Sequence, residues 1–350
     1  MKRISLALLL FTASCTATDQ EPSPATQDTD NDSSQPSQEN GIIATNFNTP
    51  WSIAPAEDGY FITERGGQLF SVTEDGDISE QTLELSSSLY TGGEAGLLGL
   101  VMLDEEEAYV YYSYESNNGP RNRVAKIERS EQTWSETDVI IDEIPGGRIH
   151  NGGRLEIGPD EHVYITTGDA GNPDTAQNTD SLAGKILRMN IDGSIPEDNP
   201  FEESYVYTYG HRNPQGVTWT EDGTMYSTEH GQNAHDEINR IEPGQNYGWP
   251  VIQGDEENEG METPLYHTGD DTWAPSGVDA YEGHLYIAAL RGERLIEFSP
   301  ETSETSVISN EYGRIRDIHF TEEFGLGITS NRDGRGNPDE NDDVFFRFTP

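Results

Sequence analysis

The sequence predicts an all-β fold, a six-bladed β-propeller of four-stranded antiparallel blades. Three observations predict it. A short alternating apolar strand after a turn recurs six times, a second strand follows it, and no long 3.6-residue apolar stripe intervenes. The first strands are Tyr60–Thr63, Tyr109–Tyr112, Val163–Thr166, Met225–Thr228, Leu285–Ala288 and Leu326–Thr329. The second strands are Gln68–Val72, Arg123–Ile127, Lys185–Met189, Glu237–Ile241, Arg294–Phe298 and Val344–Phe348. Turns are marked by Asp58-Gly59, Asp75-Gly76, Asp192-Gly193 and Asp222-Gly223. Two β-sandwiches are the alternative, but the repeat spans the folded chain without a linker. Radial repetition also brings loops of several sheets over one central channel.

The N-terminus has its own logic. Met1-Lys2-Arg3 is positive, Ile4 to Ala13 is almost wholly apolar, and Ser14-Cys15 follow. That layout is a signal peptide, residues 1–14, too short to span a bilayer. The Thr12-Ala13-Ser14-Cys15 stretch resembles a bacterial lipobox, with Thr12 where Leu is usual. Cys15 is the chain's only cysteine, so it has no intrachain partner. It is expected to carry a lipid that anchors an exported protein on the periplasmic or extracellular face; ordinary secretory cleavage is the plainer alternative. Residues 15–40, rich in Ser, Gln, Asp, Asn and Pro, are expected to be a disordered tether, with the propeller domain at 41–350.

Charge excludes one class of partner. There are 65 acidic residues against 20 basic ones, a formal net of −45. Phosphates would be repelled, so nucleic acid is not a partner. The composition points to adaptation to high salt, where screening shortens repulsion. An acidic calcium-binding surface is the alternative reading.

The chemistry concentrates between 149 and 250. The runs are Ile149-His150-Asn151-Gly152-Gly153-Arg154, Thr167-Gly168-Asp169-Ala170, Gly210-His211-Arg212-Asn213-Pro214, Glu229-His230-Gly231-Gln232, Asp236-Glu237 and Asn246-Tyr247-Gly248-Trp249. Gly93-Glu94-Ala95-Gly96 lies upstream and Gly313-Arg314-Ile315-Arg316 downstream. No nucleophile elbow, phosphate loop or zinc cluster is present in the sequence. His230 and His235 read as loop residues.

In this order the motifs resemble the soluble glucose and aldose sugar dehydrogenases that depend on pyrroloquinoline quinone (PQQ), the glucose/sorbosone dehydrogenase family. The resemblance runs from about Trp51 to the C-terminus. It implies that His150 is the catalytic base, that Asp169 holds it, and that Arg212 stabilises charge developing on the quinone. A neutral imidazole suits removal of a sugar hydroxyl proton. The resemblance makes Asn213, Arg314 and Arg316 cofactor contacts. The resemblance also makes Arg291 a cofactor contact, standing where the family commonly has a Lys to a PQQ carboxylate. Glu94 stands where the best-known glucose dehydrogenases have Gln, in or near the sugar pocket. The resemblance also implies Ca²⁺ on the backbone carbonyls of Gly231 and Gln232, Gln232 replacing a common Pro. It further implies a second Ca²⁺ site, as in some members of the family, at Glu237 and Tyr247. The expected activity is oxidation of an aldose to its lactone, with electrons passed to an external cytochrome or quinone. A non-catalytic binding module and a calcium-dependent lactone hydrolase are the competing classes.

Overall fold

The computed structural model describes residues 41–350. The expected signal peptide, the expected lipid attachment at Cys15 and the expected tether all lie outside the described residues. Strand β1 (Gly41–Ala44) opens the chain. An antiparallel meander follows: β2 (Pro50–Ala56), β3 (Gly59–Glu64), β4 (Leu69–Val72) and β5 (Ile78–Glu84). The next is β6 (Leu97–Met102), β7 (Glu107–Ser116), β8 (Gly119–Ser130) and β9 (Thr133–Pro145). The third is β10 (Leu155–Ile157), β11 (His162–Thr167), β12 (Lys185–Asn190) and β13 (Val206–Tyr209). The fourth is β14 (Pro214–Trp219), β15 (Met225–Glu229), β16 (Glu237–Ile241) and β17 (Tyr266–His267). The fifth is β18 (Pro275–Tyr281), β19 (His284–Ala289), β20 (Arg294–Phe298) and β21 (Thr305–Ser309). The last is β22 (Ile315–Phe320), β23 (Gly325–Thr329) and β24 (Phe345–Phe348), completed by β1 with Gly41 opposite Arg347.

The all-β expectation holds. Every strand singled out from the sequence coincides with an observed strand to within one residue, and the expected neighbours pair, as with Tyr164 opposite Arg188 and Tyr286 opposite Glu297. The one helical element among the described residues is a 3₁₀ turn, Pro173–Thr175. The leading strands touch in sequence: β2 on β6, β6 on β10, β14 on β18, β18 on β22, and β22 back on β2, while β11 meets β14. This is consistent with a β-propeller. One detail departs from separate four-stranded blades. β5 and β9 pair in parallel, Thr82 opposite Thr133, which joins the first two meanders into one eight-stranded sheet. That contact links strands nearly fifty residues apart, and no local pattern announces it.

Packing explains the strand composition. The middle strands β11, β19 and β23 are buried almost throughout, because each lies between two neighbouring sheets. Trp51, Tyr111, Leu155, Ile165 and Leu187 fill one such seam. Each contributes about 1.5–3 kcal/mol of burial. At the centre stands Arg154. It donates to Asp317 Oδ2 (2.7 Å), Ser52 Oγ (3.3 Å) and the Gln215 carbonyl (3.1 Å), and its guanidinium lies 4.5 Å from the Trp51 ring centre. One buried cation thus ties together β2, β14 and β22 under the loops that follow.

Candidate active site

In a meander the second-to-third and fourth-to-first connections share one end of the sheet. The predicted residues sit on such connections: Glu94 (β5 to β6), His150 (β9 to β10), Asp169 (β11 to β12), Arg212 and Asn213 (β13 to β14), Gly231 and Gln232 (β15 to β16), Arg291 (β19 to β20) and Arg314 (β21 to β22). Glu94, His150, Arg212, Gly231, Arg291 and Arg314 line one cavity of about 430 Å³. A cavity of about 460 Å³ opens at the other ends of the leading strands, with Glu156, Asp279 and His319 in its wall. It lacks a cluster of arginines, so the two mouths differ in kind.

His150 has a left-handed backbone, φ 55°, uncommon for a residue with a Cβ. Three contacts hold it. Its N–H donates to Glu94 Oε2 at 3.0 Å, its carbonyl accepts from Ala170 N at 3.0 Å, and its Nδ1 bonds Asp169 Oδ1 at 2.7 Å. Gly168 lets the two loops meet: a Cβ there would stand 2.1 Å from the His150 carbonyl oxygen. Asp169 is 1% exposed and fully engaged, with Trp249 Nε1 donating to Oδ2 at 2.9 Å and Gly171 N to Oδ1 at 2.7 Å. A carboxylate so placed makes Nδ1 the protonated nitrogen. Nε2, which bonds no described residue, is left to accept a proton at the cavity wall.

The arginines differ from one another. Arg212 donates from Nη1 to the His230 carbonyl and lies 5.3 Å from the Trp249 ring centre, while its buried Nε has no partner. Its backbone N–H is held by Glu229, whose other oxygen bonds His211 Nδ1 at 2.8 Å. Burial lowers the Arg212 pKa. Asn213 Oδ1 accepts from Gly152 N at 3.1 Å, and its Nδ2 is buried and unpartnered. Arg316 meets only neutral groups, Gln215 Oε1, Ser276 Oγ and Ser330 Oγ, and burial pushes its pKa down to about 9. Arg314 is neutralised by Asp333 (2.7 Å) and bonded to the Leu290 carbonyl. Arg291 is exposed.

Glu94 is less free than its position in the sequence implies. Arg335 reaches it at 2.7 Å, so both carboxylate oxygens are occupied. Despite burial, the His150 N–H and Arg335 hold its pKa down to about 2. Three residues enter that the sequence reading did not assign. Trp249 supports Asp169, and Arg335 reaches Glu94 from a loop 241 residues away in sequence. His230 proves to be a wall residue of this cavity, where burial lowers its pKa to about 4 and leaves Nε2 unpartnered. The Gly231-His230 neighbourhood was visible in the sequence; the pairing across the channel was not.

The two metal expectations fare differently as geometry. Gly231 N donates to Asp236 Oδ1 at 2.9 Å, while the Gly231 and Gln232 carbonyls accept from no described residue. Oxygen donors of that kind suit Ca²⁺. A Cβ on Gly231 would also collide with the Ala234 and His235 carbonyls, at 2.1 and 2.3 Å. The Glu237 and Tyr247 side chains share no hydrogen-bond partner. Glu237 bonds Gly254 N and Asn239, whereas the Tyr247 hydroxyl donates to the Arg240 carbonyl and accepts from Glu242 N. Among the described residues no group of three or more His, Cys, Asp or Glu side chains is arranged to hold a metal.

Residues 47–335 match the glucose/sorbosone dehydrogenase family model. Quinoprotein glucose dehydrogenase B of Acinetobacter calcoaceticus is 32% identical over 63% of this chain and 54% of its own, so the match spans about half of that protein. Aldose sugar dehydrogenase YliI of Escherichia coli is 28% identical over 79% of this chain and 85% of its own. The PQQ-bound aldose sugar dehydrogenase of Streptomyces coelicolor superimposes with a TM-score of 0.82 at 34% identity, covering 88% of this chain and 96% of its own.

Proposed function

The chain belongs to the glucose/sorbosone dehydrogenase family, and from that premise we propose that it oxidises aldose sugars at C1 to lactones with PQQ and Ca²⁺, passing electrons to an external acceptor. The observation that carries the reading is the pairing of His150 with Asp169 beside guanidinium groups that lack carboxylate partners. A tricarboxylate cofactor fits that donor set, since the unpartnered Arg212 Nε, the unpartnered Asn213 Nδ2 and the neutral-partnered Arg316 all want an acceptor. When bound, PQQ supplies the two-electron acceptor for the hydride leaving C1.

The chain's own groups do the rest. His150 Nε2 accepts the C1 hydroxyl proton while Asp169 stabilises the imidazolium that results. Arg212 and Asn213 place donors where negative charge develops. The Gly231 and Gln232 carbonyls would hold Ca²⁺. Glu94, tied to Arg335, shapes the pocket instead of taking a proton. The ring of contacting sheets supports six blades, the sixth closed by β1. Export, lipid anchorage through Cys15, adaptation to salt and a second Ca²⁺ at Glu237 and Tyr247 belong to the same proposal. The test is reconstitution: protein in molar salt is titrated with PQQ and Ca²⁺, then given an aldose and a redox dye. Sugar-dependent dye reduction supports the reading; folded protein with no PQQ spectral change and no dye reduction sinks it.

A further inference from the structure

Arg65 follows β3, and its backbone N–H donates to the Thr49 carbonyl at 3.1 Å. Its side chain lines a narrow space together with Arg316, a space that shares Glu94, His230 and Arg335 with the larger cavity. The guanidinium makes no hydrogen bond and no ion pair with any described residue. The nearby acids are already engaged, Asp333 by Arg314 and Glu94 by Arg335. Burial lowers the Arg65 pKa, and Arg335 and Arg314 repel it. Arg65 in turn opposes the charge on Arg316, which has only neutral partners. Two guanidinium groups without a carboxylate therefore face one small space, in a chain where acids outnumber bases 65 to 20. A partly buried, unpaired charge is destabilising in the empty protein. An anion completes it, and the planar fork of Arg matches a carboxylate.

We propose that Arg65 is an anion-binding residue of this site, holding with Arg316 one carboxylate of the bound cofactor. The inference rests on the PQQ reading above. It differs from a structural role in a measurable way. A structural arginine stabilises the empty protein; an anion ligand stabilises only the loaded one.

The experiment compares wild type, Arg65→Gln, Arg65→Lys and Arg121→Gln. Arg121 pairs with Glu143 away from the site and controls for net charge. Melting is measured without cofactor, and PQQ affinity by absorbance titration in the presence of Ca²⁺. Arg65→Gln should melt at or above the wild-type temperature when empty, yet bind PQQ about tenfold more weakly or worse, the scale of one charge-assisted hydrogen bond. Arg65→Lys should fall between them, and Arg121→Gln should match wild type. Equal PQQ affinity in wild type and Arg65→Gln overturns the inference alone. Loss of empty-protein stability with unchanged affinity overturns it in favour of a structural role. A folded wild type that does not bind PQQ overturns the proposed function, and this inference with it.

Discussion

Asp333 Oδ2 receives Arg314 Nη2 at 2.7 Å and Nε at 3.2 Å, so one carboxylate, 2% exposed, cancels the charge of an arginine two positions from Arg316. Arg316 has no such partner. The two arginines of the Arg-x-Arg run are therefore not equivalent. Arg314 is spent largely on anchoring the β23–β24 loop, and Arg316 keeps its charge for whatever enters the site.

That difference predicts opposite phenotypes. Arg314→Gln leaves Asp333 buried and unpaired, at a cost of about 3–5 kcal/mol. Its melting temperature should drop by several degrees. Arg316→Gln should leave melting of the empty protein unchanged or higher and weaken PQQ binding. Calorimetry and cofactor titration on both variants decide; identical profiles would contradict the asymmetry.

His150→Gln should bind PQQ normally and lose about 10²–10⁴-fold in turnover, because Gln keeps a hydrogen bond but accepts no proton. Asp169→Asn should lose less, since the imidazole remains without its fixed orientation. Dye reduction is measured at saturating cofactor, with affinity determined separately. Turnover by His150→Gln within a few-fold of wild type would remove it as the base.

Trp249→Phe removes the donor to Asp169 Oδ2 while keeping most of the ring beside Arg212. An unsatisfied buried acceptor costs about 1–3 kcal/mol. If part of that appears as a misplaced His150, turnover falls by roughly tenfold. Unchanged turnover would mean that Gly171 N suffices to hold the carboxylate.

Glu64 gives a pH signature. Burial is the main cause raising its pKa from 4.5 to about 7, with Asp343 and Glu80 adding repulsion and the Asn48 N–H opposing it. A carboxyl raised on folding is favoured when protonated. Its contribution is therefore present at acid pH and is lost as pH rises from about 4.5 to about 7. The melting temperature of Glu64→Gln minus that of wild type should grow in favour of the variant across that window. A difference independent of pH would show that Glu64 does not titrate there.

The net charge of −45 predicts a salt requirement. Melting followed by circular dichroism should move to lower temperature as KCl falls from molar to millimolar, because repulsion lengthens its range. A melting temperature that holds steady would remove salt adaptation from the proposal.

What the sequence determined by itself was local and periodic. Alternation in Val163–Thr166 and Leu285–Ala288 marks strands because a strand buries side chains with period two, and Asp-Gly marks turns such as Gly193, φ 83°, because only there is a left-handed backbone cheap. The ordered motifs around His150, Asp169 and Arg212 were legible as a family resemblance for the same reason: each is a short run on one loop. The tertiary structure alone decided which charges meet. It gave Asp333 to Arg314, Glu94 to Arg335 and Trp249 to Asp169, left Arg65 and Arg316 without acids, and joined β5 to β9. Those outcomes depend on which loops the closed ring of sheets brings to one mouth. Coulomb interactions act through space and not along the chain, so in a sequence with 65 acids no spacing rule says which of them each arginine finds.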